Sequence, residues 1–182
     1  SVLILKAISP HASLLNHTLT TALIFMVFAV PGYVMAAKYI DKIGRKTVQM
    51  LGFAMMAVCF ALIAVFPAFR DILPMFIALY GMSFFFTNFG PNSTTFLIPS
   101  EIYPTSIRAR AHGLSAAIGK VGAFVGAFFL PSVLEAHGIG FTIGLMSIVS
   151  LGGILVTLFV PEMKNKSLQD AETVVRLVQD EA

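Results

Sequence analysis

Five stretches of this chain run for twenty residues or more with almost no charge, and that feature governs what it can fold into. A helix rises about 1.5 Å per residue and a bilayer core is about 30 Å thick, so about 20 apolar residues make one crossing. Residues 18–37, 47–69 and 72–100 contain no Asp, Glu, Lys or Arg, and neither do residues 136–161. Residues 111–134 contain one, Lys120. Each run is apolar all round rather than along one stripe, which argues against surface helices. The expected fold class is therefore all-α integral membrane, with five transmembrane helices at about 18–37, 47–69, 72–99, 111–132 and 139–160 and a polar tail over 161–182. Composition agrees. Only 12% of the 182 residues are charged and 57% are hydrophobic, against about 25% charged in a soluble domain.

The charges fall between the runs and alternate in character. Lys38, Lys42, Arg45 and Lys46 separate the first run from the second, Arg108 and Arg110 the third from the fourth, and Lys164 and Lys166 follow the fifth. Together these are eight of the twelve basic residues, and the intervening connections carry only Arg70. Basic loops stay cytoplasmic, so the pattern predicts residue 1 outside and the C-terminus inside. The same distribution speaks against nucleic acid as a partner despite a pI near 9.2: short basic clusters between apolar runs form no phosphate-tracking stripe. The single cysteine, Cys59, can form no internal disulfide, and neither a metal nor a cofactor is called for. The chain opens at Ser1 without Met, and Val2 to Leu5 looks like the tail of a further span, so a fragment is expected. After Pro161 the composition turns polar, and Val174, Leu177 and Val178 keep helical spacing in a short amphipathic tail.

A few polar residues inside the runs stand out. Lys120 lies about ten residues from Arg110 and fifteen from Glu135, too deep for its stem to reach either interface with ease. An unpaired lysine at that depth costs at least ~2.5–3.5 kcal/mol, so it should face a cavity or a partner. Asn88 and Asn92 are four apart, on one helix face, and Gly90-Pro91 loosens the backbone between them. An amide there can donate to an anion's oxygen or accept from a protonated one, or simply tie helices together. Gly113, Gly119, Gly122 and Gly126 in the fourth run, and Gly140, Gly144, Gly152 and Gly153 in the fifth, predict close helix packing. His17, His112 and His137 lie near span ends, where solvation is expected. The spans hold no carboxylate, and the chain has no HExxH, GxSxG or phosphate-loop pattern, so no enzyme chemistry is expected.

Three loop motifs, in order, carry a resemblance. They are Asp41-Lys-Ile-Gly44-Arg45-Lys46, then Pro99-Ser-Glu101-Ile-Tyr-Pro104-Thr105-Ser-Ile-Arg108, then Val160-Pro161-Glu162-Met-Lys164-Asn165-Lys166. They resemble the C-terminal half of a major facilitator superfamily transporter, with Asn165 where the tail motif usually has Gly. The stretches Thr87-Asn88-Phe89-Gly90-Pro91-Asn92-Ser93-Thr94-Thr95-Phe96 and Ala111-His112-Gly113-Leu-Ser115-Ala-Ala-Ile-Gly119-Lys120-Val-Gly122 narrow this to the phosphate:proton symporter family, particularly its fungal members. The resemblance implies most of a six-helix half and uptake of inorganic phosphate with a proton by alternating access. The missing N-terminal half would be a partner, and the location would be the plasma membrane. It also implies that Asn92 meets substrate, with Lys120, as a counter-charge, and Asn88 as the further candidates that their own positions in the spans supply, and that Asp41, Gly44, Arg45, Lys46, Glu101, Arg108, Arg110 and Glu162 form a cytoplasmic latch. In that latch Glu101 and Glu162 would pair with Arg45, Arg108 or Arg110. The coupling acid would precede Ser1. Alternatives are a glycerophosphodiester or other organic-anion permease, and a truncated, non-transporting membrane protein or nutrient sensor.

Overall fold

The structure, a computed structural model, describes residues 4–5, 13–162 and 164. Lys6, Lys166 and the amphipathic tail lie outside the described residues. Every regular element described is helical.

The chain enters helix α1 (Leu14–Ile24) through Ser13, whose hydroxyl accepts from the Asn16 N–H and caps the first turn. A π turn over Phe25–Ala29 joins α1 to α2 (Val30–Ile43) without a break. Pro31 accounts for the wider turn: it brings no N–H, and its ring crowds the carbonyl four residues back. Residues Leu14–Ile43 thus form one apolar rod of 30 residues, about 45 Å long. That exceeds a bilayer core, so the rod must tilt or protrude.

Gly44, at φ 108°, turns the chain directly into α3 (Arg45–Val65). Here the span stops at Val65 rather than near Phe69. Pro67 forces the preceding Phe66 into an extended conformation, and the chain then makes a separate single turn, α4 (Ala68–Asp71). Helix α5 (Leu73–Phe89) follows. The backbone breaks at Gly90 (φ −100°, ψ −107°) and resumes as α6 (Pro91–Ile102), with Pro91 opening the new segment where a missing N–H costs little.

Helix α7 (Arg108–Leu158) carries 51 residues in one run, far more than one crossing needs. Gly138, at φ 76° and ψ 176°, interrupts it. Only glycine adopts that conformation without strain. The two arms, 108–137 and 139–158, correspond to the fourth and fifth apolar runs. They double back far enough for Gly122 and Val125 of one and Leu145 and Val149 of the other to line a common apolar crevice of about 550 Å³ beside Met56 and Phe60 of α3.

Two buried clusters hold the bundle. Toward the end remote from the basic loops, Ile24, Phe60, Ile63, Phe76, Tyr80 and Ile143 pack with Ile4 and Leu5. Near the basic loops, Ala36, Ile40, Val48 and Phe89 form a second. Glycines set the close crossings. A Cβ on Gly52 would lie 2.6 Å from Gly90 Cα and 2.6 Å from Pro91 Cδ, so α3 meets the α5–α6 break almost backbone to backbone. Gly32 does the same for α2 against the Phe85 carbonyl. Many large apolar side chains stay exposed, among them Phe124, Phe128, Ile148 and Val156, as expected where lipid is the solvent.

Candidate functional site

At the Gly90-Pro91 break, α5 ends with Asn88 and α6 begins with Asn92. The turn between them keeps both side chains on one side, and Asn92 Nδ2 donates to Asn88 Oδ1 at 2.7 Å. Asn88 is 1% exposed, and its Nδ2 donates back to the Phe84 carbonyl at 2.7 Å. Both ends of the Asn88 amide are thus engaged inside the protein. Asn92 also donates to the phenol oxygen of Tyr33 on α2. Tyr33 and Asn92 together line a cleft of about 420 Å³ between α2 and α6, with Ser93 and Ser100 as its other polar side chains. Composition and spacing had singled out both asparagines; Tyr33 escaped because it is 59 residues away in the chain. The available signal was a lone phenol in the middle of an apolar run, directly after Pro31-Gly32.

Lys120 stands elsewhere. It projects from the exposed side of the first arm of α7, does not line the Asn92 cleft, and makes no hydrogen bond or ion pair among the described residues. The structure therefore places Asn88 and Asn92 together and leaves Lys120 apart from them.

The basic end is a knot of charge. Arg45, at the start of α3, grips Glu101 at the end of α6 with Nε–Oε2 at 2.8 Å and Nη2–Oε1 at 2.8 Å, a bidentate pair with both side chains largely buried. Asp41, one turn back on α2, closes on the same guanidinium at 2.7 Å but is mostly exposed. Glu162 meets Arg45 through the backbone. Its carboxylate accepts from the backbone N–H groups of Arg45 (3.0 Å) and Lys46 (3.1 Å) and so caps α3. An anion there also meets the positive end of the helix dipole. Gly44 makes this possible twice over: it takes the positive φ, and a Cβ in its place would sit 2.6 Å from Glu162 Oε2. Lys46 returns the favour, its Nζ donating to the Leu158 carbonyl at the end of α7 at 2.6 Å. Lys164 Nζ caps the end of α2 through the Lys42 carbonyl, also at 2.6 Å.

Arg108 does not join this knot. Its Nε donates to the Tyr103 carbonyl at 3.0 Å, while Nη2 is buried without a partner. Arg110 is exposed and makes no ion pair among the described residues. Both lie in the first turn of α7, where like charge with the helix end discourages any further approach. Nor is His17 solvated as its position suggests: it is 4% exposed, with Nε2 unpartnered. His137 is exposed and stacks on Phe141.

Comparison with known proteins agrees with this architecture. A 145-residue stretch is 45% identical to a probable inorganic phosphate transporter 1-6 of Arabidopsis thaliana, covering 78% of this chain and 28% of that protein. Low affinity inorganic phosphate transporter 1 of Petunia hybrida is 44% identical over 164 residues, 81% of this chain and 31% of the relative. Inorganic phosphate transporter 1-1 of Oryza sativa subsp. japonica is 42% identical over 163 residues, again 81% and 31%. All three are plant proteins, and the lean toward fungal members rests on the motifs alone. The chain spans under a third of the length of these relatives. The family model described as sugar (and other) transporter matches residues 4–175. With that match over nearly its whole length, and with apolar helices long enough to cross a bilayer, this chain is an integral membrane protein that belongs to the sugar (and other) transporter family.

Proposed function

We propose that the complete protein containing this chain carries inorganic phosphate across the plasma membrane in symport with protons, by alternating access between two halves. The observation that carries the reading is the Asn88–Asn92–Tyr33 cluster at the α5–α6 break. It is a set of hydrogen-bonding side chains held at a broken helix inside an apolar bundle, where such groups line substrate paths. The names of the plant relatives supply the substrate class. Asn92 hydrogen-bonds the phosphate, and Asn88 holds it in place. Lys120, which makes no hydrogen bond or ion pair among the described residues, meets its counter-charge in the other half or in the substrate as the two halves close. The coupling acid lies outside this sequence, whose apolar runs hold no carboxylate. Arg45, Glu101 and Asp41, with Glu162 capping α3, hold the cytoplasmic end of this half together, and the C-terminus is inside. No enzymatic reaction is assigned.

Labelled-phosphate uptake by the complete protein, in cells lacking their own phosphate carriers, tests this. Uptake should be saturable, and Asn92→Ala should lower it by about 10-fold or more through loss of a bond to a charged ligand. A Lys120→Ala variant that reaches the membrane and keeps full uptake would remove the lysine from the mechanism. If glycerophosphodiesters displace the label and phosphate does not, the substrate is the diester.

A further inference from the structure

The hydrogen bonds around Asn92 settle which way its amide points, and that has a consequence for what the cleft can bind. The Phe84 carbonyl can only accept, so the Asn88 atom 2.7 Å from it is the nitrogen. Asn88 therefore turns its oxygen toward Asn92. The Asn92 atom 2.7 Å from that oxygen must in turn be nitrogen. The same nitrogen reaches Tyr33 Oη. Both protons of the Asn92 amide are thereby taken inside the protein, and its Oδ1 has no partner among the described residues. Tyr33 accepts one of those protons and keeps its own, for which no acceptor stands nearby among the described residues. The other polar side chains of the cleft have spent their protons too: Ser93 donates to the Asn88 carbonyl and Ser100 to the Leu97 carbonyl at 2.7 Å.

With these bonds in place the cleft offers one free donor, the Tyr33 hydroxyl, and one oxygen that can only accept, Asn92 Oδ1, beside two serine hydroxyls whose protons are turned back onto backbone carbonyls. A bare acceptor suits an anion only if the anion brings a proton. We infer that Tyr33 and Asn88 orient Asn92 to read the proton on a phosphate. Asn92 Oδ1 accepts from P–OH while the Tyr33 hydroxyl donates to a P–O⁻ oxygen, which makes the site selective for protonated tetrahedral oxyanions over fully ionised ones. The inference rests on the phosphate reading above and names what that site rejects. Phosphate and arsenate keep at least one proton throughout the physiological range, whereas sulfate keeps none and sets a bare oxygen against the Asn92 carbonyl. A site that pairs a substrate hydroxyl rejects the analogue lacking it, because its own polar group is left unpaired. Tyr33 is a positioning residue through its grip on Asn92 and a specificity residue through its own proton.

The test is competition against labelled phosphate in sealed vesicles carrying the complete protein. Arsenate should compete within about 10-fold of unlabelled phosphate, and sulfate should be weaker by about 100-fold or more. This arm needs no variant. In Tyr33→Phe one Asn92 N–H is freed to turn into the cleft and total uptake should fall, and in the uptake that remains the gap between sulfate and phosphate should narrow by about 10-fold. Sulfate competing as well as arsenate in the unaltered protein overturns the inference, and so does an unchanged gap in a Tyr33→Phe protein that still transports. Absence of any phosphate uptake is a separate result: it overturns the phosphate reading, and the proton-reading role falls with it.

Discussion

The two arms of α7 are both largely apolar and carry four glycines each, yet they have opposite surroundings. The second arm, 139–158, is pressed against α3. Gly153 leaves room for the Phe53 ring, 2.7 Å from where a Cβ would stand, Gly144 meets the Ala64 Cβ at 3.6 Å, and Gly140 is covered by Arg70. Hydrogen bonds run across the same seam: Ser147 donates to the Ala57 carbonyl at 2.8 Å and Gln49 to the Thr157 hydroxyl at 2.9 Å. Glu162 and Lys46 then cap each other's helices at the end. The first arm, 108–137, also carries four glycines, yet a Cβ on Gly113, Gly119 or Gly122 would meet nothing within 4 Å, and one on Gly126 only a leucine methyl of its own helix at 3.9 Å; on the second arm only Gly152 is as open. A glycine stripe therefore signals permission for close approach, and whether a neighbour uses it is decided elsewhere in the fold. The tight arm belongs to a frame with α3. The open arm, hinged at Gly138 and bearing Lys120, is the part of this half free to meet something else.

Substitutions along the two arms can break or sharpen this contrast. The largest difference should come from filling a glycine on each. Gly153→Leu has to displace the Phe53 ring and should cost about 2–3 kcal/mol, the range for overpacking. Gly119→Leu enters open space and should stay within about 0.5 kcal/mol. Thermal unfolding of the purified complete protein in detergent reads both, and equal losses would erase the distinction. A smaller effect is expected at the seam's end. Glu162→Ala removes the carboxylate that caps α3 and should cost about 1–2 kcal/mol, with faster hydrogen exchange confined to the first turn of α3. Protection unchanged there would mean that the cap contributes nothing. The smallest contrast pits two serines against each other. Ser147→Ala loses a bond between helices, worth about 0.6 kcal/mol in membranes. Ser115→Ala, whose hydroxyl donates to the Ala111 carbonyl of its own helix and meets Tyr103 Oη only at a long 3.4 Å, should cost less than that. A Ser115 loss matching that at Ser147 would show that the first arm is held as firmly as the second.

Much of the fold is legible in the residues because the decisive signal, a long absence of charge, is local. Where boundaries differ, a local cause also explains it. Pro67 ends α3 at Val65, and Gly138 breaks α7 sharply between the fourth and fifth spans with no connecting loop. The Asn88–Asn92 pair is legible too, because a spacing of four predicts a common side and the pair keeps it across the Gly90 break. Contacts between distant segments are not encoded in that way. Nothing in the spacing ties Tyr33 to Asn92, and nothing distinguishes a Glu162 that pairs with a guanidinium from one that caps a helix. The glycines of the first arm show the same limit, because a residue's neighbours across a bundle depend on every helix in between. Lys120 is the reverse case: its depth marks it as costly, and the described residues supply no partner to offset that cost.

Phosphate entry into sealed vesicles under an imposed pH gradient tests the central claim most directly. With the complete protein inserted and the outside made acidic, labelled phosphate should accumulate inside above its outside concentration, and collapse of the gradient by a protonophore should abolish the accumulation. Entry that ignores the gradient, or no entry at all while the protein is folded and inserted, would contradict the account.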